Sequence, residues 1–193
     1  MPLVTTGDNF DYQRQRWRWK SHDPRDGSVL MNLTETTAYT DRDGIVDAVI
    51  RIVEGIDFGN EDLLRSAFTE DAVFDLGGID HSIHTFEPYV GREQVVQTLM
   101  KTVGTAMDTF HALSNIRVWV DGDTAKLTCY LIGQHHRTGE GPSVEFQDHL
   151  LLGNRFETDL VRDHGHVWLV RHNRVSSRWS VGNPAAATIP TVE

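Results

Sequence analysis

The 193-residue chain is long enough to form one domain with a sizeable core. Its formal net charge of −10 at pH 7 argues against partners that are themselves negative, namely nucleic acids and anionic membranes. No apolar run reaches the roughly 18 residues of a membrane span, and the N-terminus lacks the apolar stretch of a secretory signal. Cys129 is the one cysteine, so no intrachain disulfide can form, and we expect a cytoplasmic protein in which Cys129 is a small buried residue.

Residues 1–40 are polar and irregular, and Asp23-Pro24 and Asp26-Gly27 are typical turn pairs. We interpret this stretch as an N-terminal arm before a domain at 41–182 and a C-terminal tail at 183–193. Basic and aromatic residues alternate from Arg16 to Lys20, which would place both tryptophans on one side. The favoured role of the arm is to cover its own domain or a sister subunit, and a ligand lid is the alternative.

Three helices are predicted in the first half of the domain. Thr40 to Asp43 can cap a helix that runs to about Asp57, and its apolar residues at helical spacing are Ile45, Val46, Val49, Ile50, Val53 and Ile56. Gly59-Asn60 breaks this helix, and a short second helix carries Leu63, Leu64, Ala67 and Phe68. A strand at 72–76 and a loop at 77–89 follow, and the third helix runs from Gly91 to about Gly104.

The second half of the domain is predicted to be strands only. They cover about residues 112–120, 124–136, 144–162 and 166–179, with Asp121-Gly122-Asp123 as a hairpin turn. Helices followed by hairpin-linked strands indicate an α+β fold, in which a strongly curved antiparallel sheet wraps the helices. Such a sheet forms a cone with one open end.

Several segments carry a family resemblance, namely Asp57 to Asn60, Leu63 to Asp75, Gly91 to Glu93, His111 to Asn115 and Asp121 to Ala125. Over about residues 42–182 the chain resembles the SnoaL-like branch of the nuclear-transport-factor-two-like superfamily. The resemblance implies a cone-shaped, cystatin-like roll. The superfamily contains dehydratases, ketosteroid isomerases, polyketide cyclases, dioxygenase β subunits and proteins that only bind ligands, so it leaves the activity open.

Within that family the chain is most usefully compared with scytalone dehydratase and bile-acid dehydratase. Asp57 matches a helix-end aspartate of scytalone dehydratase, His111 matches its first catalytic histidine, and His136 falls at the interval of the second. Ile56 and Leu76 stand where that enzyme has two tyrosines. Scytalone itself is therefore not the expected substrate.

The same residues suit proton transfer on chemical grounds. Eliminating water from a β-hydroxy ketone needs a base beside an acidic C–H and a donor beside the oxygen. We assign His111 as the base, Asp57 as its orienting partner and His136 as the acid. Asn115 shares the strand alternation of His111, and Tyr130 that of His136, so both can bond to substrate unless a bulge reverses the alternation.

The substrate pocket is further assigned Phe74, Phe86 and Tyr89, the last two from the loop that shapes the mouth. His81 and His84 in that loop are the best local candidates for a metal site. Their spacing matches neither helical ligand pairs nor paired cysteines, so we expect no metal.

Each proposed catalytic residue has a structural alternative. Asp57 can satisfy backbone donors at the helix junction, and His111 can be a strand-entry histidine bonded to backbone. His136 adjoins an apparent solvent-facing turn and can be exposed without function. Asn115 can equally be structural.

The sequence thus predicts a dehydratase or isomerase that needs no cofactor and acts on a small cyclic hydroxy-ketone, such as a polyketide, terpenoid or steroid-like intermediate. One alternative is a non-catalytic ligand-binding or accessory subunit resembling a dioxygenase β subunit, and another is a polyketide cyclase. The resemblance implies a homodimer or homotrimer. We expect no nucleic-acid or membrane partner.

Overall fold

The computed structural model describes residues 40–78, 87–137, 149–164, 167–183 and 186. In these residues the helices are α1 (Asp41–Asp57), α2 (Glu61–Ser66) and α3 (Arg92–Leu99), and a π-helical turn, Met100–Gly104, continues α3. The strands are β1 (Phe68–Gly78), β2 (Tyr89–Val90), β3 (Met107–Asp121), β4 (Thr124–Arg137), β5 (His149–Arg162) and β6 (Trp168–Gly182). No helix in the described part is long and apolar enough to cross a membrane.

The six strands form one curved, open sheet in the order β2-β1-β6-β5-β4-β3, which confirms the predicted α+β class. One pairing differs from the expected antiparallel sheet, because β1 lies parallel to β6. The chain reverses direction at each step from β3 to β6, and this meander returns β6 alongside β1 in the same direction.

The helix boundaries follow the predicted capping signals. Thr40 Oγ1 accepts a hydrogen bond from the backbone N of Asp43 at 3.2 Å, and the Asp43 carboxylate accepts one from the backbone N of Thr40 at 3.0 Å. Asn60 caps α2 through the backbone N of Leu63 at 3.1 Å. Phe68, which was predicted to belong to the second helix, is instead the first residue of β1 and is buried there.

The core lies between the helices and the inner face of the sheet. From the helices it contains Ile45, Ala48, Val49, Ile52, Val53, Ile56, Val95, Val96 and Leu99, and from the strands Phe68, Phe74, Leu127, Leu131, Phe156, Leu160 and Val170. Cys129 also faces this core and is 2 % exposed, as predicted. Burial raises the pKa of its thiol to about 12, so the residue is a neutral core side chain at pH 7.

A β-bulge in β3 shifts the alternation of its side chains. Near the hairpin Arg117 pairs with Thr128, whereas further along Ser114 pairs with Tyr130, so two residues of β3 face one residue of β4. Asn115 lies in this bulge with a φ of 54°, in the left-handed region. Beyond the bulge every inward-facing position of β3 is therefore displaced by one residue relative to β4.

Several predictions concern residues outside the described ranges. These are the N-terminal arm, the loop residues His81, His84 and Phe86, and the turn after Arg137.

Candidate active site

The carboxylate of Asp57 joins the end of α1 to β3. The backbone N of His111 donates to its Oδ2 at 2.9 Å, and the hydroxyl of Thr109 donates to its Oδ1 at 2.8 Å. The same Oδ1 lies 2.5 Å from Nδ1 of the His111 imidazole. Gly59 has a φ of +60° just after the helix, and this turn lets α1 end with Asp57 directed at the strand. The Asp57 carboxylate therefore accepts a backbone hydrogen bond, as the structural alternative expected, but the donor belongs to β3 and not to the helix junction. The same carboxylate also contacts the His111 imidazole.

The pair is buried, because 10 % of the Asp57 side chain and 7 % of the His111 side chain are exposed. Burial alone would raise the pKa of the Asp57 carboxyl, but the hydrogen bonds and charge of His111, with the Thr109 hydroxyl, lower it below its usual value. Asp57 is thus an anion near neutral pH. An anionic oxygen only accepts hydrogen bonds, so Nδ1 of His111 carries the proton and Nε2 of the neutral ring holds the lone pair.

A second histidine, His135, lies beside this pair on the same inner face of the sheet. Its ring meets the ring of His111 edge to face, with centroids 5.3 Å apart and an interplanar angle of 82°. Its Nδ1 lies 3.3 Å from the backbone oxygen of Leu150, so Nδ1 is the donor. Burial, and secondly the charge of His111, lower the pKa of His135 to about 4, so the residue is neutral at pH 7.

The structure does not bring His136 to Asp57 and His111, and this corrects the assignment of His136 as the acid of the site. His136 lies on the other face of β4, where its ring stacks on His149 with centroids 5.6 Å apart and its Nε2 lies 2.7 Å from the Gln134 amide nitrogen. The β3 bulge explains the difference. Without it, the hairpin register would place His111 opposite Gln134, on the face of His136, whereas it lies opposite Gly133, on the face of His135.

The same bulge removes Asn115 and Tyr130 from the site. Asn115 is an exposed residue of the bulge itself, and its assignment as a substrate donor relied on an alternation that stops one residue earlier. Tyr130 lies opposite Ser114 on the outer face of the sheet and is 50 % exposed. A bulge has this effect because it shifts the alternation of one strand by one residue relative to its neighbour.

Of the predicted aromatic pocket residues, Phe74 belongs to the core. It is 3 % exposed and meets Phe68 and Phe156 edge to face, with centroids 6.2 Å and 6.5 Å away. Tyr89 pairs with Phe74 across β1 and β2, is half-buried, and has a phenol pKa raised by burial. Phe86 lies outside the described residues.

Asn154 is a further inward-facing polar residue that the sequence reasoning missed. It lies on β5 opposite Leu131, is 6 % exposed, and its Oδ1 accepts a hydrogen bond from Ser177 Oγ at 2.8 Å. That bond orients the amide and leaves its Nδ2 hydrogens as donors. The available signal was the alternation Leu150, Leu152, Asn154 and Phe156, in which Asn154 is the one polar residue.

The site consists of groups that transfer protons or donate hydrogen bonds. No group of three or more histidine, cysteine or acidic side chains within the described ranges is arranged to hold a metal ion. The imidazole Nε2 of His111, backed by an anionic carboxylate, can remove a proton from carbon or oxygen and be stabilised as the imidazolium.

The class of this protein is defined by an α+β fold, in which a curved sheet packs on helices, and by an aspartate–histidine pair on the inner face of that sheet. Residues 37–174 match the SnoaL-like domain, and the chain is a member of that family. Over 152 residues it is 35 % identical to "Terrestric acid biosynthesis cluster protein E" of Penicillium crustosum, in an alignment that covers 77 % of this chain and 90 % of that protein.

Solved structures agree on the fold. A candidate scytalone dehydratase of Novosphingobium aromaticivorans is 19 % identical with a TM-score of 0.60, and the alignment covers 79 % of this chain and 89 % of that chain. The hexachlorocyclohexane dehydrochlorinase LinA, type 2, is 20 % identical with a TM-score of 0.59, and the alignment covers 78 % of this chain and 93 % of that chain. These likenesses show a shared fold, and the chemistry has to be argued from the site.

Proposed function

We propose that the protein is a lyase of the dehydratase type, in which His111 is the general base and Asp57 orients it. The observation that carries the proposal is the buried pair itself, with a carboxylate 2.5 Å from Nδ1 and Nε2 left as the basic nitrogen. The names of two structural neighbours, a dehydratase and a dehydrochlorinase, describe reactions that remove a small molecule from adjacent carbons. Such reactions begin with, or include, loss of a proton from carbon.

The proposed reaction is loss of water from a β-hydroxy ketone. Nε2 of His111 takes the proton on the carbon between the carbonyl and the hydroxyl-bearing carbon, and Asp57 stabilises the imidazolium that forms. The resulting enolate re-forms its carbonyl as the carbon–oxygen bond to the hydroxyl breaks. The imidazolium returns its proton to the departing hydroxide, so the products are an enone and one water molecule.

Two further side chains have roles in this proposal. Asn154, oriented by Ser177, donates from Nδ2 to the enolate oxygen. His135, and not His136, is the second histidine beside the pair, and its role is to accept a hydrogen bond and not to act as the acid. Because its Nδ1 is directed to the oxygen of Leu150, its Nε2 accepts a hydrogen bond and can hold the substrate hydroxyl.

The substrate class follows from the apolar surroundings of these groups. Buried hydrophobic side chains occupy the inner face next to the pair, namely Met107, Leu131, Leu150 and Leu152. An apolar lining of this kind favours a compact, mostly apolar ring that bears a ketone and a hydroxyl. The relative from a terrestric acid biosynthesis cluster favours a polyketide-derived ring over a steroid or terpenoid.

The test is turnover of cyclic β-hydroxy ketones, followed by the ultraviolet absorbance of the conjugated enone. His111→Ala should lower kcat/KM by about 10²- to 10⁴-fold, the usual contribution of a general base, and Asp57→Asn should lower it comparably. His136→Ala is the matched control and should retain activity. Full activity of His111→Ala would refute the assignment. Saturable binding without turnover would favour the ligand-binding subunit instead.

We further propose that the protein is a homodimer that pairs through the outer face of the sheet. Ile132 on β4 lies opposite Ala112 and Gly153, and Gly153 lies opposite Trp179, so these positions form a row across four strands. The row and its neighbours expose large apolar side chains, namely Phe110, Tyr130, Ile132, Trp179 and Val181. Together they expose on the order of several hundred Å², the size of the largest apolar patch on a typical monomer, and a patch of that size is often an interaction site.

Light scattering coupled to size-exclusion chromatography tests the dimer. Ile132→Lys should convert it to a monomer, because a charge would be buried at the centre of the row. Lys101→Glu lies on the π-helical turn, away from the sheet's outer face, and should leave the mass unchanged. A monomeric wild-type protein would refute the dimer without affecting the proposed reaction.

A further inference from the structure

Gly133 lies within β4, opposite His111 on β3 and two residues before His135 on the same face. It is buried, and it pairs with His111 on β3 and with Leu152 on β5. Glycine in a strand interior weakens the strand, because it adds backbone entropy to the unfolded chain and no side chain to the packing. A glycine at this position therefore needs a reason.

The backbone does not supply that reason. The glycines with positive φ in the described residues are Gly59, Gly91, Gly122 and Gly182, and Gly133 is not among them. Its conformation is one that any residue of a strand adopts. The reason must lie in the space beside its Cα.

That space is occupied by imidazole rings. A Cβ added to Gly133 would lie 2.8 Å from Cδ2 and 3.0 Å from Nε2 of His111, and 3.1 Å from Cε1 of His135. Real Cβ atoms essentially never approach other heavy atoms within 3.0 Å. The added carbon would therefore form a wedge between the two rings, against the Nε2 edge of His111.

Neither ring can move aside without losing a contact. His111 is held from its other edge by Asp57, through the 2.5 Å contact at Nδ1 and the 2.9 Å bond from its own backbone N. His135 is 7 % exposed, and its Nδ1 contacts the Leu150 oxygen at 3.3 Å. A side chain at position 133 would thus be accommodated by displacing His111 relative to Asp57 or by pushing His135 from the core.

We propose that Gly133 is a positioning residue for His111. Because glycine has no side chain, it leaves the space in which the imidazole lies between Asp57 and His135 with Nε2 free. The effect of Gly133 on catalysis rests on the proposed role of His111 as base. The geometric part, that position 133 controls the Asp57–His111 contact, is independent of any reaction.

The first test needs no substrate. A proton in a short histidine–carboxylate hydrogen bond resonates far downfield in ¹H NMR, and such a signal should be present in the wild type and absent in His111→Ala and Asp57→Asn. Gly133→Ala should abolish it or shift it upfield. Gln134→Ala places an alanine at the next residue of β4, on the opposite face, and should leave the downfield signal unchanged. A signal that keeps its position in folded Gly133→Ala would overturn the proposal.

A double-mutant cycle covers the case in which the alanine variant unfolds. Gly133→Ala should lower Tm by roughly 3–10 °C in the wild type, the size expected of an overpacked core position in a domain of this length. In the His111→Ala background the main clash is gone, so the same change should cost much less. Equal losses in both backgrounds, or failure to fold in both, would show that the strand and not the imidazole requires glycine, and would overturn the proposal.

Activity separates this inference from the proposed function. With a substrate in hand, Gly133→Ala should lower kcat more than it raises KM and should change the pH profile of kcat/KM, because the base has moved. If the NMR and stability results are as expected but His111→Ala retains full turnover, Gly133 positions the imidazole and the lyase assignment fails. If His111→Ala is inactive and the cycle shows no coupling, the lyase assignment stands and the positioning role of Gly133 fails.

Discussion

Acid should destabilise the protein through His135, and the effect can be sized from the structure. The ordinary pKa of 6.5 falls to about 4 in the folded protein, because burial disfavours the imidazolium, as does the charge of His111. The unfolded chain therefore binds this proton more tightly than the folded protein. Stability is fully present above about pH 6.5 and declines as the pH falls toward 4. The two pKa values differ by about 2.5, which corresponds to roughly 3 kcal/mol of unfolding free energy.

The assay is urea denaturation followed by circular dichroism, repeated at steps from about pH 7 to about pH 4.5. His135→Phe keeps a ring of similar size and removes the titrating group. Between about pH 7 and about pH 4.5 its unfolding free energy should therefore fall by roughly 2 kcal/mol less than that of the wild type. His136→Phe replaces a histidine by phenylalanine on the other face of β4. Its unfolding free energy should depend on pH as in the wild type, because His135 remains. Asp57, whose pKa is lowered from 3.8, contributes in the same direction only at still lower pH.

The test is the difference in pH dependence of the unfolding free energy between the wild type and His135→Phe. Equal pH dependence in the wild type and His135→Phe would mean that His135 is not held neutral by burial. It would also remove the argument that its Nε2 is an acceptor in the site.

Three further predictions concern single side chains. Phe74→Ala should destabilise the fold by about 3–5 kcal/mol in urea denaturation, because Phe74 is a core residue that contacts two other rings; a loss confined to KM would instead return it to the substrate pocket. Cys129 should react with a thiol reagent only after unfolding, since the thiol is 2 % exposed and its pKa is raised to about 12; stoichiometric labelling of the native protein would contradict this. Asn60→Ala should cost about 1 kcal/mol by removing the cap of α2, and Asn60→Asp should restore it; equal stability of all three proteins would show that the cap contributes nothing.

The sequence determined the elements whose signals are local. Thr40 and Asn60 begin helices because their side chains bind backbone N–H groups within three residues, and these bonds form wherever such a helix forms. The apolar spacing from Ile45 to Ile56 identified the buried face of α1, and Gly122 marked the hairpin. Asp57 and His111 were found by the same means together with the family resemblance, and the structure places them in contact.

Where sequence reasoning failed, the cause was a non-local choice of register. Hydrophobic alternation holds only within an unbroken strand, and in β3 it shifts by one residue at Asn115, so Asn115 and His111 do not share it. His136 was assigned from its interval in the family resemblance, and the shift places His111 on the face of His135 instead. A bulge has no reliable sequence signature, since Asn adopts a left-handed φ in many turns and strands alike. The parallel pairing of β1 and β6 was likewise invisible, because it joins segments separated by about a hundred residues through the packing of the whole sheet.

The sequence by itself therefore determined the fold class, the helix that delivers Asp57 and the strand that carries His111. Tertiary structure decided which neighbour completes the site. The bulge in β3 turned His111 to the inner face, where the unbroken alternation of β4 places His135 and not His136. Burial then lowers the pKa of His135 and keeps it neutral at pH 7. A difference of one residue in strand pairing cannot be read from composition or spacing, because its energy comes from side chains that meet only when the sheet is assembled.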